Sequence, residues 1–159
     1  MLRILFVFIL LMPNLLLSQT RLNIIPYPQS VKINDGEFFL DSETKIFGDK
    51  NSFEVQYFIN QVKNTNNISL SFSEKYRKKD KKIHIGFYRN CRQPNEDNQE
   101  KYSILVSGND VYVLAYNSEA LFHGIQTLLQ LIPSNSNGSA KIPNVEITDF
   151  PKFQWRGMH

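Results

Sequence analysis

The residues that could do chemistry are few and far apart in this 159-residue sequence. Its three histidines are His84, His123 and His159, and no His-Glu-x-x-His pattern places two of them on one helix face. No phosphate-binding glycine loop and no Gly-x-Ser-x-Gly motif occurs. Glu96 and Asp97 are adjacent carboxylates, but in a polar stretch such pairs are usually solvated. The sequence therefore predicts neither a metal-binding nor a catalytic residue in its main domain.

Composition is typical of a globular chain without a strong charge bias. Hydrophobic residues make up 42% of the sequence, aromatic residues 13%, and the formal net charge is +3. One domain with a real core is expected, and neither nucleic acid nor an acidic partner is indicated. The basic run at residues 75–82 could be a nucleic-acid or membrane patch, but its short length favours a solvated turn between strands. Cys91 is the single cysteine, which excludes an internal disulfide.

The first 19 residues predict a signal peptide. Arg3 precedes an apolar run at residues 4–17, which is shorter than the ~20 residues of a spanning helix and is followed by no stop-transfer charges. Cleavage is expected near Gln19. The chain is therefore predicted to be exported to the periplasm, the outer surface or the medium, with an uncleaved membrane anchor as the alternative.

The elements that would position any site are led by a helix at residues 118–132. Its apolar residues recur at helical spacing, so they are expected to be buried against the preceding strands. Pro133 ends this helix because proline cannot continue the hydrogen-bond ladder. The residues expected in the core are Leu121, Ile125, Leu128 and Leu129.

A second helix is predicted at residues 52–63, and the other elements are strands. The turn signal Asn34-Asp35-Gly36 predicts one hairpin, and Gly108-Asn109 predicts another. This order of elements predicts an α+β fold, a mostly antiparallel sheet with two helices packed on it. Alternating apolar residues predict strands at 68–72, 83–87, 100–107 and 111–115.

Residues 149–159 begin a new pattern. Three large apolar residues, Phe150, Phe153 and Trp155, lie near the end of the sequence, where polar and frayed residues are usual. The pattern stops part-way through a predicted strand. The sequence is therefore expected to be the first part of a longer protein.

Five motifs occur along the chain. They are Ile24-Ile-Pro-Tyr-Pro28, Gly36-Glu-Phe38, Glu100-x-Tyr102 leading into Leu105-Val106, Gly124-Ile-Gln-Thr-Leu-Leu-Gln-Leu131 and Asp149-Phe-Pro-Lys-Phe-Gln-Trp-Arg-Gly157. In this order they resemble the non-catalytic N-terminal domain of the β-N-acetylhexosaminidases, the family 20 glycoside hydrolases. The resemblance runs from about residue 21 to the end. Lys152 stands where the family more often has arginine.

The resemblance implies three parts: a signal peptide at 1–19, a zincin-like α+β domain without its metal at 20–148, and the truncated start of a catalytic (β/α)8 barrel at 149–159. It also implies that the barrel carries an Asp-Glu pair. The glutamic acid would protonate the leaving oxygen, and the aspartate would orient the substrate's acetamido group as nucleophile. No Asp-Glu dipeptide occurs in this chain. The chain alone is therefore expected to be inactive, and no cofactor is implied.

Arg156 is the one site residue that the resemblance carries over. It matches the arginine of the family's Trp-Arg-Gly, which resembles a ligand for the hydroxyls of the terminal sugar. A planar guanidinium offers several donors in a fixed geometry, so it can hold two neighbouring hydroxyls. Without the resemblance, a strand residue paired with a carboxylate is the simpler interpretation.

The sequence leaves two functions open. The first is the N-terminal part of an exported hexosaminidase that removes terminal N-acetylglucosamine or N-acetylgalactosamine. Its partners would be the glycan and the catalytic barrel, with no nucleic acid and no stable membrane span. The second is a stand-alone, non-enzymatic module that binds sugar or a partner through its sheet. The apolar end of the sequence favours the first.

Overall fold

The computed structural model describes residues 22–88, 100–134 and 136–150. The predicted signal peptide, Cys91 and most of the predicted start of the barrel lie outside these residues. The described chain forms a seven-stranded sheet and two helices. In chain order the elements are β1 (Ser30–Asp41), β2 (Lys45–Phe47), α1 (Phe53–Asn66), β3 (Ser71–Phe72), β4 (Lys82–Phe87), β5 (Tyr102–Ser107), β6 (Asp110–Ala115), α2 (Ser118–Leu131) and β7 (Ser139–Asp149).

The sheet is mixed, which corrects the prediction of a mostly antiparallel sheet. Its strand order is β1-β7-β5-β6-β4-β2-β3. The pairings from β1 as far as β6 are antiparallel, whereas β6-β4, β4-β2 and β2-β3 are parallel. The β2-β3 pairing is parallel because α1 carries the chain from the end of β2 back to the end of the sheet where β2 began. β3 therefore runs beside β2 in the same direction.

The turn signal Asn34-Asp35-Gly36 forms a bulge inside one long strand, so the hairpin predicted there is wrong. β1 pairs with β7 on both sides of this segment, and the register shifts between Ile33 and Glu37. Gly36 has φ +98°, a conformation that glycine adopts without strain. Asn144 of β7 donates from Nδ2 to the Asp35 carbonyl at 2.8 Å. β7 therefore stabilises the extra residues as a bulge.

Both predicted helices are confirmed, with ends shifted by a few residues. Ser52 is the N-cap of α1 and accepts a hydrogen bond from the Val55 amide. Asn117 is the N-cap of α2 and accepts from the Ala120 amide at 2.8 Å. These bonds satisfy amides that the first turn of a helix leaves without a backbone partner. The two helices also pack against each other, and α2 lies on β4, β5 and β6.

The core forms between α2 and the sheet, as the helical spacing predicts. Ile125 and Leu128 are both fully buried. Leu129 is only half-buried, which corrects the prediction that it belongs to the core. Successive helical residues point about 100° apart, so the buried residues of α2 share one face centred between Gly124 and Leu128, and Leu129 lies outside that face. The buried residues of α2 are Ala120, Leu121, Gly124, Ile125, Thr127, Leu128 and Leu131.

The opposite face of the sheet, here called the open face, has no helix on it among the described residues. Side chains alternate along each strand, so residues next to those of the core point to this face. They include His84, Tyr112 and Leu105, which are neighbours across β4, β6 and β5. In the described part of the chain, neither helix has the length and apolar content needed to cross a membrane.

Candidate functional site

Arg156 lies outside the described residues, so its role as a sugar ligand stays a prediction. Glu96 and Asp97 also lie outside them. Of the two histidines that are described, His84 lies in β4 and His123 in α2. Across residues 22–88, 100–134 and 136–150, no group of three or more His, Cys, Asp or Glu side chains could hold a metal ion.

A hydrogen-bonded junction fixes the chain where β7 ends. The Tyr102 hydroxyl lies 2.7 Å from Thr127 Oγ1 and donates to Asp149 Oδ2 at 3.1 Å. Tyr102 is buried, and burial raises the pKa of its hydroxyl, so the group stays a neutral hydrogen-bond donor. Side chains from β5, α2 and β7 therefore meet at the last residue of the sheet, seven positions before Arg156.

The entry segment, residues 22–29, is tied to the same junction. Asp149 accepts a hydrogen bond from the Gln29 amide at 3.1 Å. The Gln130 side chain accepts from the Ile25 amide at 2.8 Å, next to a cis Ile25–Pro26 peptide bond. One carboxylate thus joins the end of the entry segment to the end of β7.

Gly124 allows α2 to lie close to the sheet at this junction. A Cβ atom here would lie 3.0 Å from Val113 Cγ1 and 3.1 Å from Tyr102 Cδ2. These distances are shorter than ordinary van der Waals contact, so a larger residue would push α2 away from β5 and β6. Four of the five sequence motifs therefore meet in one place. In the described residues their role is to join the entry segment, α2, β5 and β7.

Three aromatic side chains form a cluster on the outer side of the helices, here called the helix aromatic surface. The ring of Tyr57 lies 5.2 Å from that of Phe122, and the ring of Phe53 lies within 6.4 Å of both. Phe53 is 69% exposed, although large apolar side chains are usually buried. Tyr57 and Phe122 are partly buried, and a partly exposed aromatic cluster of this kind is typical of a contact surface.

The helix aromatic surface and the junction lie toward the same end of the sheet. Both helices begin there, because α1 follows β2 and α2 follows β6, which run in the same direction. β7 also ends there, with Asp149 beside Tyr102 and Tyr102 beside Ala115. A crevice of about 560 Å³ opens at this end, and Ser52 and Gly86 are among the residues that line it. We call this end of the sheet the exit end.

Lys82 forms a buried cationic centre on the open face. Its ammonium lies 3.3 Å from Asp110 Oδ1, donates to the Arg77 carbonyl at 3.0 Å and lies 4.2 Å from the centre of the Tyr76 ring. Burial opposes the charge, but the hydrogen bond and charge of Asp110 raise the Lys82 pKa above its usual value. The prediction of a solvated turn at 75–82 is therefore wrong for Lys82, which is 0% exposed.

His84 lies in a row of stacked rings beside this centre. Its ring is 5.0 Å from that of Phe47 and 4.5 Å from that of Tyr112, with interplanar angles of 21° and 8°. The three residues are direct neighbours across β2, β4 and β6. Rings stacked along that direction stand upright on the sheet and turn their edges to solvent. The ring faces that stack on one another within the row are therefore not open to a sugar ring.

The cluster of Lys82, His84, Asp110 and Tyr112 was not predicted from the sequence. A signal for it exists, since polar residues alternate with Ile83 and with the valines of β6, which places them on the face opposite the core. The pairing of β4 with β6 brings the two sets together. That pairing joins strands that are not consecutive, so alternation alone does not predict it.

Replacing Asp110 with alanine is expected to lower the free energy of unfolding by about 1–2 kcal/mol. Loss of one partner from a fully buried ion pair costs ~3–5 kcal/mol, but Asp110 is 28% exposed, so water screens part of its interaction. Lys82→Met removes the buried charge itself and is expected to cost less. Urea denaturation of both variants measures the difference, and a larger loss in Lys82→Met contradicts the interpretation.

His84 is expected to make stability depend on pH. Burial lowers the pKa of its imidazole; Asp110 opposes this effect and the nearby Lys82 ammonium adds to it. The unfolded chain has the usual pKa of about 6.5, so as the pH falls the unfolded state binds this proton first. The contribution to stability is therefore complete above about pH 6.5 and is lost toward the lower pKa of the folded state.

The variant His84→Phe tests this pH dependence, because phenylalanine keeps the ring stack and does not titrate. The measurement is the free energy of unfolding from urea denaturation at about pH 7 and about pH 5. The wild-type protein is expected to lose more stability over this range than His84→Phe. Equal losses in the two proteins contradict the prediction.

Comparison with known proteins places this fold. Residues 21–150 match the model of glycosyl hydrolase family 20, domain 2. Because the match covers most of the chain, the chain belongs to this family, as an N-terminal domain of the family 20 hexosaminidase type. The expected family and the α+β fold class with two helices are therefore confirmed.

Individual relatives agree with this assignment. The chain is 26% identical over 144 residues to a β-hexosaminidase of Porphyromonas gingivalis, which covers 86% of this chain and 18% of the relative. The structure of a Flavobacterium johnsoniae chitobiase is 30% identical, with a TM-score of 0.63, over 86% of this chain and 22% of that one. An exo-β-N-acetylglucosaminidase of Vibrio harveyi, 23% identical, shares the fold with a TM-score of 0.65, over 84% and 20%. The chain thus spans about a fifth of the length of these relatives.

Proposed function

We propose that this chain is the N-terminal, non-catalytic part of an exported β-N-acetylhexosaminidase. The whole enzyme would remove terminal N-acetylglucosamine or N-acetylgalactosamine from glycans. The observation that carries the proposal is the match of residues 21–150 to a family 20 domain. The relatives that share this domain are named β-hexosaminidase and chitobiase. The alternative, a stand-alone module that binds sugar or a partner, is not better supported.

The catalytic barrel is proposed to follow β7 and to rest on the helix aromatic surface. Two observations support this arrangement. The junction at Asp149 fixes the chain at the exit end, where both helices also begin. Phe53 is exposed at the start of α1, so a domain following β7 can cover it without a long linker. Covering that cluster would remove apolar surface from water and hold the two domains together.

The chemistry is proposed to lie in the barrel and to be assisted by the substrate. A glutamic acid would protonate the leaving oxygen, and an aspartate would orient the acetamido group that attacks the anomeric carbon. This chain would supply one group to that site: Arg156, whose guanidinium would hold two hydroxyls of the terminal sugar. Asp149 and its partners would anchor the segment that leads to Arg156.

The test compares residues 1–159 with the product of the complete reading frame that contains them, using 4-nitrophenyl N-acetyl-β-D-glucosaminide. The complete product is expected to hydrolyse this substrate. Residues 1–159 alone are expected to show no turnover, because a general acid typically supplies ~10²–10⁴-fold of the rate and this chain has no Asp-Glu pair. Turnover by residues 1–159 contradicts the assignment of catalysis to the barrel. An inactive complete product contradicts the proposed enzyme.

Export is proposed from the apolar run at residues 4–17. N-terminal sequencing of the protein recovered from the periplasm or the medium is expected to show a mature chain that begins near Gln19. An intact Met1 in the membrane fraction contradicts cleavage and supports the anchor.

A further inference from the structure

The basic run at residues 75–82 forms one wall of a crevice beside β3, here called the β3 crevice. Its volume is about 470 Å³. The crevice is open to solvent and lies at the edge of the sheet that is farthest from β1 and β7. Cationic side chains outnumber acidic ones in its lining, four to two. The four are Lys45, Lys50, Lys75 and Arg77, and the two are Glu74 and Asp80.

The loop that carries Lys75 and Arg77 is stabilised by contacts on its buried side. The buried Lys82 ammonium donates to the carbonyls of Arg77 and Lys78 at 3.0 and 3.4 Å. The Asp80 amide donates to the Arg77 carbonyl at 3.1 Å, and the Tyr76 ring packs 6.2 Å from that of Phe47. Apart from the buried Lys82 ammonium, these contacts use backbone groups of the loop or the ring of Tyr76. The loop is therefore ordered without using the charged ends of its exposed lysines and arginine.

The cationic ends at the β3 crevice keep most of their binding capacity. Within the part of the chain that the structure describes, Lys75 and Arg77 form no ion pair. Lys50 lies 3.4 Å from Glu74, but both side chains are more than half exposed, so solvent screens this pair. Lys45 donates to the Ser71 hydroxyl at 3.0 Å. The crevice therefore presents a surplus of positive charge on a fixed scaffold.

We propose that the β3 crevice binds an anionic oligosaccharide. The guanidinium of Arg77 can hold a sulfate or a carboxylate through two hydrogen bonds, and the Lys75 ammonium can hold a second anionic group. Phe72 is half-buried in the wall, and the Lys50 ammonium lies 5.7 Å from the centre of its ring. The choice of a saccharide over other anions rests on the proposed function. The crevice would retain acidic glycans on this domain.

Isothermal titration calorimetry with the purified chain tests the proposal, so enzymatic activity is not needed. The probes are a heparin-derived hexasaccharide, a hexamer of galacturonic acid and, as the neutral control, chitohexaose. We expect at least one anionic probe to bind in low salt, with an affinity that falls as salt is added, and chitohexaose not to bind. No binding of either anionic probe overturns the proposal. Because the assay does not measure hydrolysis, its failure leaves the proposed enzyme standing.

Two pairs of substitutions distinguish the crevice from diffuse surface charge. Lys75→Gln with Arg77→Gln removes two charges that line the crevice. Lys78→Gln with Lys79→Gln removes two from the same loop, outside the lining. The first pair is expected to weaken binding at least about fivefold and the second less than about twofold. Equal losses of affinity in the two pairs overturn the proposal. Binding to phosphatidylglycerol vesicles that is tighter than binding to the anionic probes, and that Lys75→Gln with Arg77→Gln weakens as much, also overturns it and would indicate a lipid surface.

Discussion

Replacing Ile125 with alanine is expected to lower the free energy of unfolding by about 2–5 kcal/mol. Ile125 is fully buried and belongs to the buried residues of α2, the helix that packs on β4, β5 and β6. Alanine would remove most of its apolar contacts and leave a cavity that the rigid sheet cannot fill. Urea denaturation followed by far-ultraviolet circular dichroism measures the loss.

Leu129→Ala is the matched control for this prediction. It removes a comparable amount of side chain from the same helix, at a position that is only half-buried. Its cost is expected to be less than about half that of Ile125→Ala, because water already contacts part of this side chain. An equal cost would mean that the buried face of α2 is assigned wrongly.

Arg156→Lys in the complete enzyme is expected to reduce kcat/KM by the equivalent of about 1.5–3 kcal/mol, the usual value of hydrogen bonds to a charged group. Lysine keeps the positive charge but loses the planar fork that would hold two sugar hydroxyls. The measurement is kcat/KM on 4-nitrophenyl N-acetyl-β-D-glucosaminide beside the wild-type enzyme. This prediction depends on the proposed function.

Lys152→Arg supplies the control for this second prediction. It exchanges the same two side-chain types in the opposite direction, four residues earlier, at a position where the family more often has arginine. It is expected to leave kcat/KM within about twofold of wild type. If Arg156→Lys also leaves kcat/KM unchanged, the proposed contact between Arg156 and the sugar is wrong, while the assignment of the chain to its family is unaffected.

The two helices and the hairpin of β5 and β6 could be predicted from the sequence because their signals are local. The apolar spacing of α2 and the turn at Gly108 both act within a few residues. The bulge at Gly36 could not, because it depends on Asn144 in β7, which is more than a hundred residues away. The same turn residues serve a hairpin or a bulge, and only the partner strand decides between them.

The features of the candidate site also divide into those with a local signal in the sequence and those that depend on distant residues. The motifs around Tyr102 and Gly124 were recognisable as sequence, but their meeting with Asp149 depends on three separate elements. The β3 crevice combines a local signal, the basic run, with Lys45 and Lys50, which precede that run by more than twenty residues. The buried position of Lys82 was not predictable from charge, because a lysine in a basic run is usually solvated.

The bulge in β1 also protects the domain from self-association. β1 is an outer strand of the described sheet, and a regular strand at such an edge is a template on which another chain can add by backbone hydrogen bonding. The extra residues at Gly36 interrupt that template near its middle. On either side of them, Lys32 pairs with Glu146 and Glu37 with Lys141, which places charges along the same edge. A second copy of the chain is therefore not expected to add to the sheet through this strand.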